Sequence, residues 1–312
     1  MTAAAPDMRA RVGSVALPSP VMTASGTAGH GAELAPYMDL GALGAVVVKS
    51  LHADPWDGNP PLRVTETAAG MLNSVGLQGP GVAAWLEHHL PALAATSARV
   101  VVSIWGHSVS EYEKAALMLH DAPDTIVAVE VNLSCPNTAS GSDLFAHSAA
   151  ATRDVVAATE VCGRPRWAKL SPNVADIAPI AAAAQQAGAE AVTLVNTVKG
   201  MVIEPTVPPR FALGAGARGG GMSGPAIHPI AVRAVFDVHR ALPELPIVGV
   251  GGVASGGDAA ELIMAGASAI QVGTATFVDP RAPARVRDEL QDWAVRHGVG
   301  SLHELIGAAH DR

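Results

Sequence analysis

Eight short β-branched runs, separated by Ala-rich amphipathic stretches, constrain this chain more than any other feature. They fall at residues 21–24, 45–49, 100–104, 126–131, 166–170, 191–195, 246–250 and 269–272. Continuous apolar runs of this length suit strands covered on both faces, and their alternation with helical patterns marks repeated βα units around a parallel sheet. Eight such units close a (β/α)8 TIM barrel, an α/β fold. Helices are predicted at residues 111–120, 148–161, 176–187, 229–242, 258–265 and 285–295, with Gly188 and Gly266 placed as C-caps. Residues 11–20 read as an N-terminal hairpin that covers the barrel floor. The two long connections, 50–98 and 196–245, both leave the C-terminal ends of strands, where barrel loops build binding sites.

A barrel of this kind commonly reaches 312 residues, so residues 1–312 are read as a single domain. Nearly half the chain is apolar and only 15% is charged, which supplies a large core. The formal charge of −8 and the lack of Lys/Arg clusters argue against a nucleic-acid surface. No apolar run reaches the ~18 residues of a membrane span, and the first residues lack the pattern of a signal peptide, so a cytoplasmic protein is expected. Cys135 and Cys162 are too few for an iron–sulfur cluster, which normally takes about four. The twelve histidines show no metal-ligand spacing, and no metal is expected.

With these strands, polar residues gather at one end of the barrel: Ser25, Lys49, Ser50, Ser103, Asn132, Lys169, Asn196 and Thr197. A lysine that ends an apolar strand is partly desolvated and keeps its charge only beside an anion or an electron-rich ligand. Each lysine alone is equally well explained by a rim ion pair; two together with the amides point to a ligand that carries or acquires negative charge. Gly251-Gly252 and Gly273-Thr274 follow the last two strands, where barrels often bind phosphate through bare backbone N–H groups, although tight turns also call for glycine. Residues 219–224 form a further Gly-rich stretch, read as another backbone cradle. A buried free cysteine is usually a small hydrophobe, which suits Cys162; Cys135 instead sits in the polar turn Ser134-Cys135-Pro136-Asn137 at a strand end and is the candidate proton-transfer group.

Several segments together resemble the class 1 dihydroorotate dehydrogenases across most of the chain. They include 24–27, 49–51, 58–60, 70–78, 132–137, 168–173, 196–197, 220–227, 249–253 and 273–275. The Gly-Met-Ser-Gly-Pro-Ala-Ile stretch at 221–227 is most similar to the NAD-linked 1B subgroup. This resemblance implies FMN-dependent oxidation of (S)-dihydroorotate to orotate in pyrimidine (UMP) biosynthesis, with Cys135 as the base and a mobile lid from 136 to about 145. It implies substrate contacts at Lys49, Asn73, Ser74, Val75, Gly76, Leu77, Asn132, Asn137, Asn196 and Thr197. The implied FMN contacts are Ser25, Lys49, Ser50, Ser103, Asn132, Lys169, Val195, Gly221, Gly251, Gly252, Gly273 and Thr274, with Lys169 near the flavin N1/O2 edge. It further implies a homodimer joined by an electron-transfer subunit carrying FAD and a [2Fe–2S] cluster, giving a heterotetramer that passes electrons to NAD+.

The chain departs from the family pattern at four places: Ser103 where Asn is usual, Gly79 for Asn, His228 for a frequent Lys, and a bulky Trp105. Two other readings stay open at this point. Dihydropyrimidine dehydrogenases use a similar FMN barrel, but tend to have His where this chain has Asn137. A barrel that binds a phosphorylated metabolite without redox chemistry explains the glycine loops, yet leaves Cys135, Lys49 and Lys169 without a purpose.

Overall fold

Continuous burial of both faces turns each apolar run into a strand of one parallel sheet. The computed structural model describes residues 5–134, 144–214 and 219–310. In chain order, the barrel strands are Val21–Thr23, Val46–Val47, Val100–Ile104, Ile126–Asn132, Arg166–Lys169, Ala191–Leu194, Ile247–Val250 and Ala269–Val272. From the second strand to the eighth each pairs in parallel with the next, and the eighth returns to the first, with Ile270, Gln271 and Val272 opposite Val21, Met22 and Thr23. All eight predicted runs are strands of this sheet, and the expected (β/α)8 barrel is the observed fold.

The seam between the first and second strands is closed partly by a side chain. The Val47 N–H donates to Thr23 Oγ1 at 2.8 Å, and the Thr23 hydroxyl reaches the Val47 carbonyl at 3.4 Å. Backbone bonds from Gly44 N to Val21 O and from Thr23 N to Ala45 O complete the join.

The six predicted helices form with shifted ends, at Val109–Leu117, Ala149–Ala158, Ala178–Gln186, His228–Ala241, Gly256–Met264 and Ala282–Arg296. Gly188 and Gly266 follow helix ends at φ +89° and +125°, as C-capping glycines do. The hairpin also forms, from Ala10–Val12 and Val15–Leu17, and the Ser14 N–H donates to Glu190 just ahead of the sixth strand, at the floor of the barrel. Side chains from the hairpin, barrel and helices merge in one hydrophobic cluster.

The long connections are more structured than predicted. The first contains helices Val82–His88 and Leu90–Ala94. Its strands Val64–Thr67 and Gly70–Asn73 join Gly220–Ser223 and Val198–Gly200, from the second connection, in a four-stranded antiparallel sheet. The Gly-rich stretch read as a backbone cradle is therefore in part a strand, with Gly221 opposite Asn73. Ile203–Glu204 and Arg210–Phe211 form a separate two-stranded ribbon.

Thr23→Val keeps the volume but removes both side-chain bonds across the seam and strands the buried Val47 N–H. Urea unfolding should show a loss of about 1–3 kcal/mol, and unchanged stability would mean that the seam does not depend on this hydroxyl.

Candidate active site

The C-terminal ends of the strands surround a cavity of about 970 Å³. Ser25, Lys49, Ser50, Asn132, Lys169, Val195, Asn196, Thr197, Gly251, Gly252, Gly273 and Thr274 line it from the barrel. Asn73, Ser74, Val75, Gly76, Leu77 and Gly221 line it from the antiparallel sheet and its loop. Cys135, Asn137 and the lid segment from 136 to 143 lie outside the described residues.

Ser103 does not line the cavity, which corrects its placement as a flavin contact. It is fully buried behind Ser50, with the two hydroxyl oxygens 2.8 Å apart. The shorter serine leaves the third strand one layer back and acts on the cavity only through Ser50. From there a polar chain crosses the barrel mouth. Asn132 Nδ2 donates to Ser50 Oγ at 3.3 Å, Asn196 Nδ2 donates to Asn132 Oδ1 at 3.0 Å, and the Thr197 N–H donates to Asn196 Oδ1 at 2.8 Å. Tyr112 fixes the strand end from outside, its hydroxyl donating to the Asn132 carbonyl at 2.6 Å. Each amide is thus held in one orientation by neighbours that leave it little choice.

The loop 73–77 is held as firmly. Asn59 Nδ2 donates to Ser74 O and its N–H to Val75 O, Trp56 Nε1 donates to Gly76 O, and Asn73 Nδ2 donates to Gly221 O. A Cβ on Gly221 would overlap the Thr197 hydroxyl, so the strand can approach only as glycine. Gly252, at φ +68°, is equally bound to its place: a Cβ there would stand 2.7 Å from the His228 Cβ and 2.8 Å from the Gly224 carbonyl. The N-terminus of the helix His228–Ala241 therefore abuts this loop, where its dipole favours an anion.

His228, the departure from a frequent Lys, braces the same loop. Its ring lies 2.8 Å from the Gly251 carbonyl through Nδ1 and 3.2 Å from Glu261 through Nε2. Gly79 pairs with Trp56 through mutual backbone bonds, and a Cβ there would meet only ordinary contacts. Trp105 is fully buried away from the cavity, its ring 5.0 Å from His52, 4.9 Å from His107 and 5.5 Å from Trp56. Near Lys49, His30 is disfavoured from protonation by burial and then by His89, so it adds little competing charge.

Lys169 is almost wholly buried, with Nζ 3.3 Å from Glu130 Oε1 and 3.3 Å from Gln271 Oε1; Gln271 Nε2 donates to Glu130 Oε2 at 2.7 Å. Neither Glu130 nor Gln271 was singled out in the sequence, although a carboxylate inside an apolar strand is a visible signal. The cavity also takes Lys199 and Phe277, which the sequence reading missed, and Ser134 and Ser223, which it named only as parts of the Cys135 turn and the Gly-rich stretch. Ser223 is tied to the eighth strand's end, since the Thr274 hydroxyl donates to it at 2.7 Å. Cys162 lies apart, fully buried, with burial pushing its thiol up and away from the reactive thiolate.

A family model described as dihydroorotate dehydrogenase matches residues 8–293. The chain is 49% identical to a protein of Desulforudis audaxviator named dihydroorotate dehydrogenase B (NAD(+)), catalytic subunit, over 96% of each chain. It is 43% identical to a protein of the same name from Citrifermentans bemidjiense, over 97% of this chain and 98% of that one. It is 46% identical to a protein of Solibacter usitatus named putative dihydroorotate dehydrogenase A (fumarate), again over 97% and 98%. A barrel whose strand ends hold this cavity, matched along nearly its whole length, belongs to the dihydroorotate dehydrogenase family.

Proposed function

We propose that this chain oxidises (S)-dihydroorotate to orotate in pyrimidine biosynthesis, with FMN held in the barrel cavity and electrons leaving for NAD+ through a partner subunit. The observation that carries the reading is the convergence of Lys49, the 73–77 loop, the linked amides and Lys169 on the same cavity as the glycine loops. The fit to FMN rests on the donor set. A backbone loop against a helix N-terminus suits a phosphate, a buried ammonium suits an electron-rich ring edge, and about 970 Å³ leaves room for a small substrate beside the flavin.

FMN supplies the acceptor for the hydride that leaves substrate C6. The protein supplies the rest. Lys49 meets the substrate carboxylate, and the backbone of 73–77 fixes its position. Orotate presents alternating N–H and C=O groups along its ring, which suit amides that both donate and accept. Asn196 can turn its second N–H to a ring carbonyl while its first still holds Asn132 in line. Cys135, as thiolate, removes the proton from C5, so that the C5–C6 double bond forms as hydride leaves C6. Lys169 opposes the negative charge that collects in the ring system, from a site already organised for it.

The electron-transfer partner is supported by the words "catalytic subunit" in the names of the relatives and by the chain's two cysteines, too few to hold a cluster. A second copy of this chain, FAD and a [2Fe–2S] cluster on the partner complete the proposed heterotetramer. Because one relative is named for fumarate, the acceptor is tested directly, with fumarate offered against NAD+ plus the partner. We place the reaction in the cytoplasm; among the described residues no helix is long and apolar enough to cross a membrane.

Anaerobic addition of (S)-dihydroorotate to the purified chain should bleach a flavin band near about 450 nm. A yellow protein that dihydroorotate leaves unbleached would overturn the substrate, and a protein that FMN cannot colour would overturn the flavin reading.

Cys135→Ser should keep the flavin spectrum and lower the rate of bleaching by about 10²–10⁴-fold. A serine variant that bleaches at the normal rate would remove Cys135 from the proton step.

A further inference from the structure

One charged side chain of the cavity wall has no part in the reaction described above. Lys199 sits at the centre of Val198–Gly200, an edge strand of the four-stranded antiparallel sheet. Its neighbours on either side are half-buried, while Lys199 itself is exposed. Its N–H donates to Asn173 Oδ1 at 2.8 Å, which anchors the strand to the loop after the fifth barrel strand.

Register fixes which way the side chain faces. Lys199 lies opposite Gly221, Gly221 opposite Asn73, and Asn73 opposite Val64, so the four form one row across the sheet. Residues paired across strands project to the same face, and every member of this row lines the cavity. With strands about 4.8 Å apart, the Lys199 backbone stands roughly 10 Å from that of Asn73. Lys199 is thus at the outer edge of the wall whose inner part leads into the 73–77 loop.

The charge there is unopposed. Lys169 is paired with Glu130, whereas no carboxylate lies within ion-pair reach of Lys199 among the described residues. The described wall carries Lys49, Lys169 and Lys199, and neither Asp nor Glu. The chain as a whole has a formal charge of −8, which repels an anion at long range. At physiological salt, charges beyond about 8 Å are largely screened, so an approaching anion responds to what lines the mouth rather than to the net charge. An exposed cation at the outer edge and the half-buried Lys49 further in make a graded path for a carboxylate.

We propose that Lys199 is an entry residue, which draws the substrate carboxylate to the cavity mouth and leaves it to Lys49 in the bound complex. The inference rests on the reading that the cavity takes dihydroorotate beside FMN. A charge that acts on the approach speeds association and loses its effect in salt, whereas one that holds the bound ligand slows dissociation. A unit charge about 5 Å from the path of an anion in water changes the encounter rate about fourfold.

The test is stopped-flow binding of orotate to the oxidised, FMN-loaded protein, followed by flavin absorbance at about 20 mM and about 500 mM salt. Lys199→Gln should bind about 3–5-fold more slowly than wild type at low salt, and within about 1.5-fold of it at high salt. Lys199→Glu should be slower by about tenfold at low salt and should flatten the salt dependence. Methyl orotate, the uncharged ester, should bind all three proteins at the same rate in either salt.

Equal orotate rates at low salt would overturn the proposal. So would a deficit in Lys199→Gln that persists at high salt or takes the form of faster dissociation, because Lys199 would then be a contact of the bound ligand. An equal deficit with the ester would remove charge from the explanation and overturn it too. Wild-type holoprotein that does not bind orotate would overturn the substrate reading beneath the proposal, a failure distinct from any difference among the variants.

Discussion

Closing eight parallel strands into a ring forces alternate side chains inward, where there is no water to satisfy them. Most inward positions in this chain are therefore apolar, and the polar ones are confined to places where another strand supplies a partner. Thr23 answers the second strand across the seam, Ser103 answers Ser50, and Glu130 answers Lys169 and Gln271. Only at the C-terminal rim does the ring open enough for polar side chains to face a ligand. The position of the cavity follows from that geometry rather than from any single motif.

The rim works because its groups are locked before a ligand arrives. The run from Thr197 through Asn196 and Asn132 to Ser50 and Ser103 is one hydrogen-bonded line whose members fix one another. The 73–77 loop is tied down by Asn59, Trp56 and the strand that carries Gly221. Groups set in this way need not reorganise as charge moves in a reaction, which is where most electrostatic catalysis arises. The same order explains why glycine recurs at the contacts: Gly221 and Gly252 stand where any Cβ would push a neighbour out of line.

The barrel was legible in the sequence because each strand is a short, continuous apolar run, and the first connection was not because its signals are broken. In 82–94 the helical pattern is interrupted by His88, His89 and Pro91, and the structure resolves it into two short helices. The four-stranded antiparallel sheet was hidden for another reason. Its strands are short, half-exposed and partly Gly-rich, and they pair across great separations, as Asn73 does with Gly221. Local pattern carries no record of such pairing. The cavity residues were largely legible because strand ends converge by topology. Ser103 was misplaced because strand position alone does not say whether a short side chain reaches past its neighbour.

The departures from the family pattern share a physical character. Ser103 gives up direct reach for a bond to Ser50, and Trp105 fills a histidine- and tryptophan-lined space on the far side of the same strand end. His228 puts a shorter ring where a long lysine is frequent, yet it still spans from the Gly251 carbonyl to Glu261 and so braces the loop that faces the ligand. Ser103 and His228 thus act one layer behind the cavity wall. Changes at that depth alter how firmly the wall is held and what charge stands behind it, while the groups that face a ligand stay in place. The buried Glu130 stands at the same depth, behind the wall residue Lys169 that it pairs with.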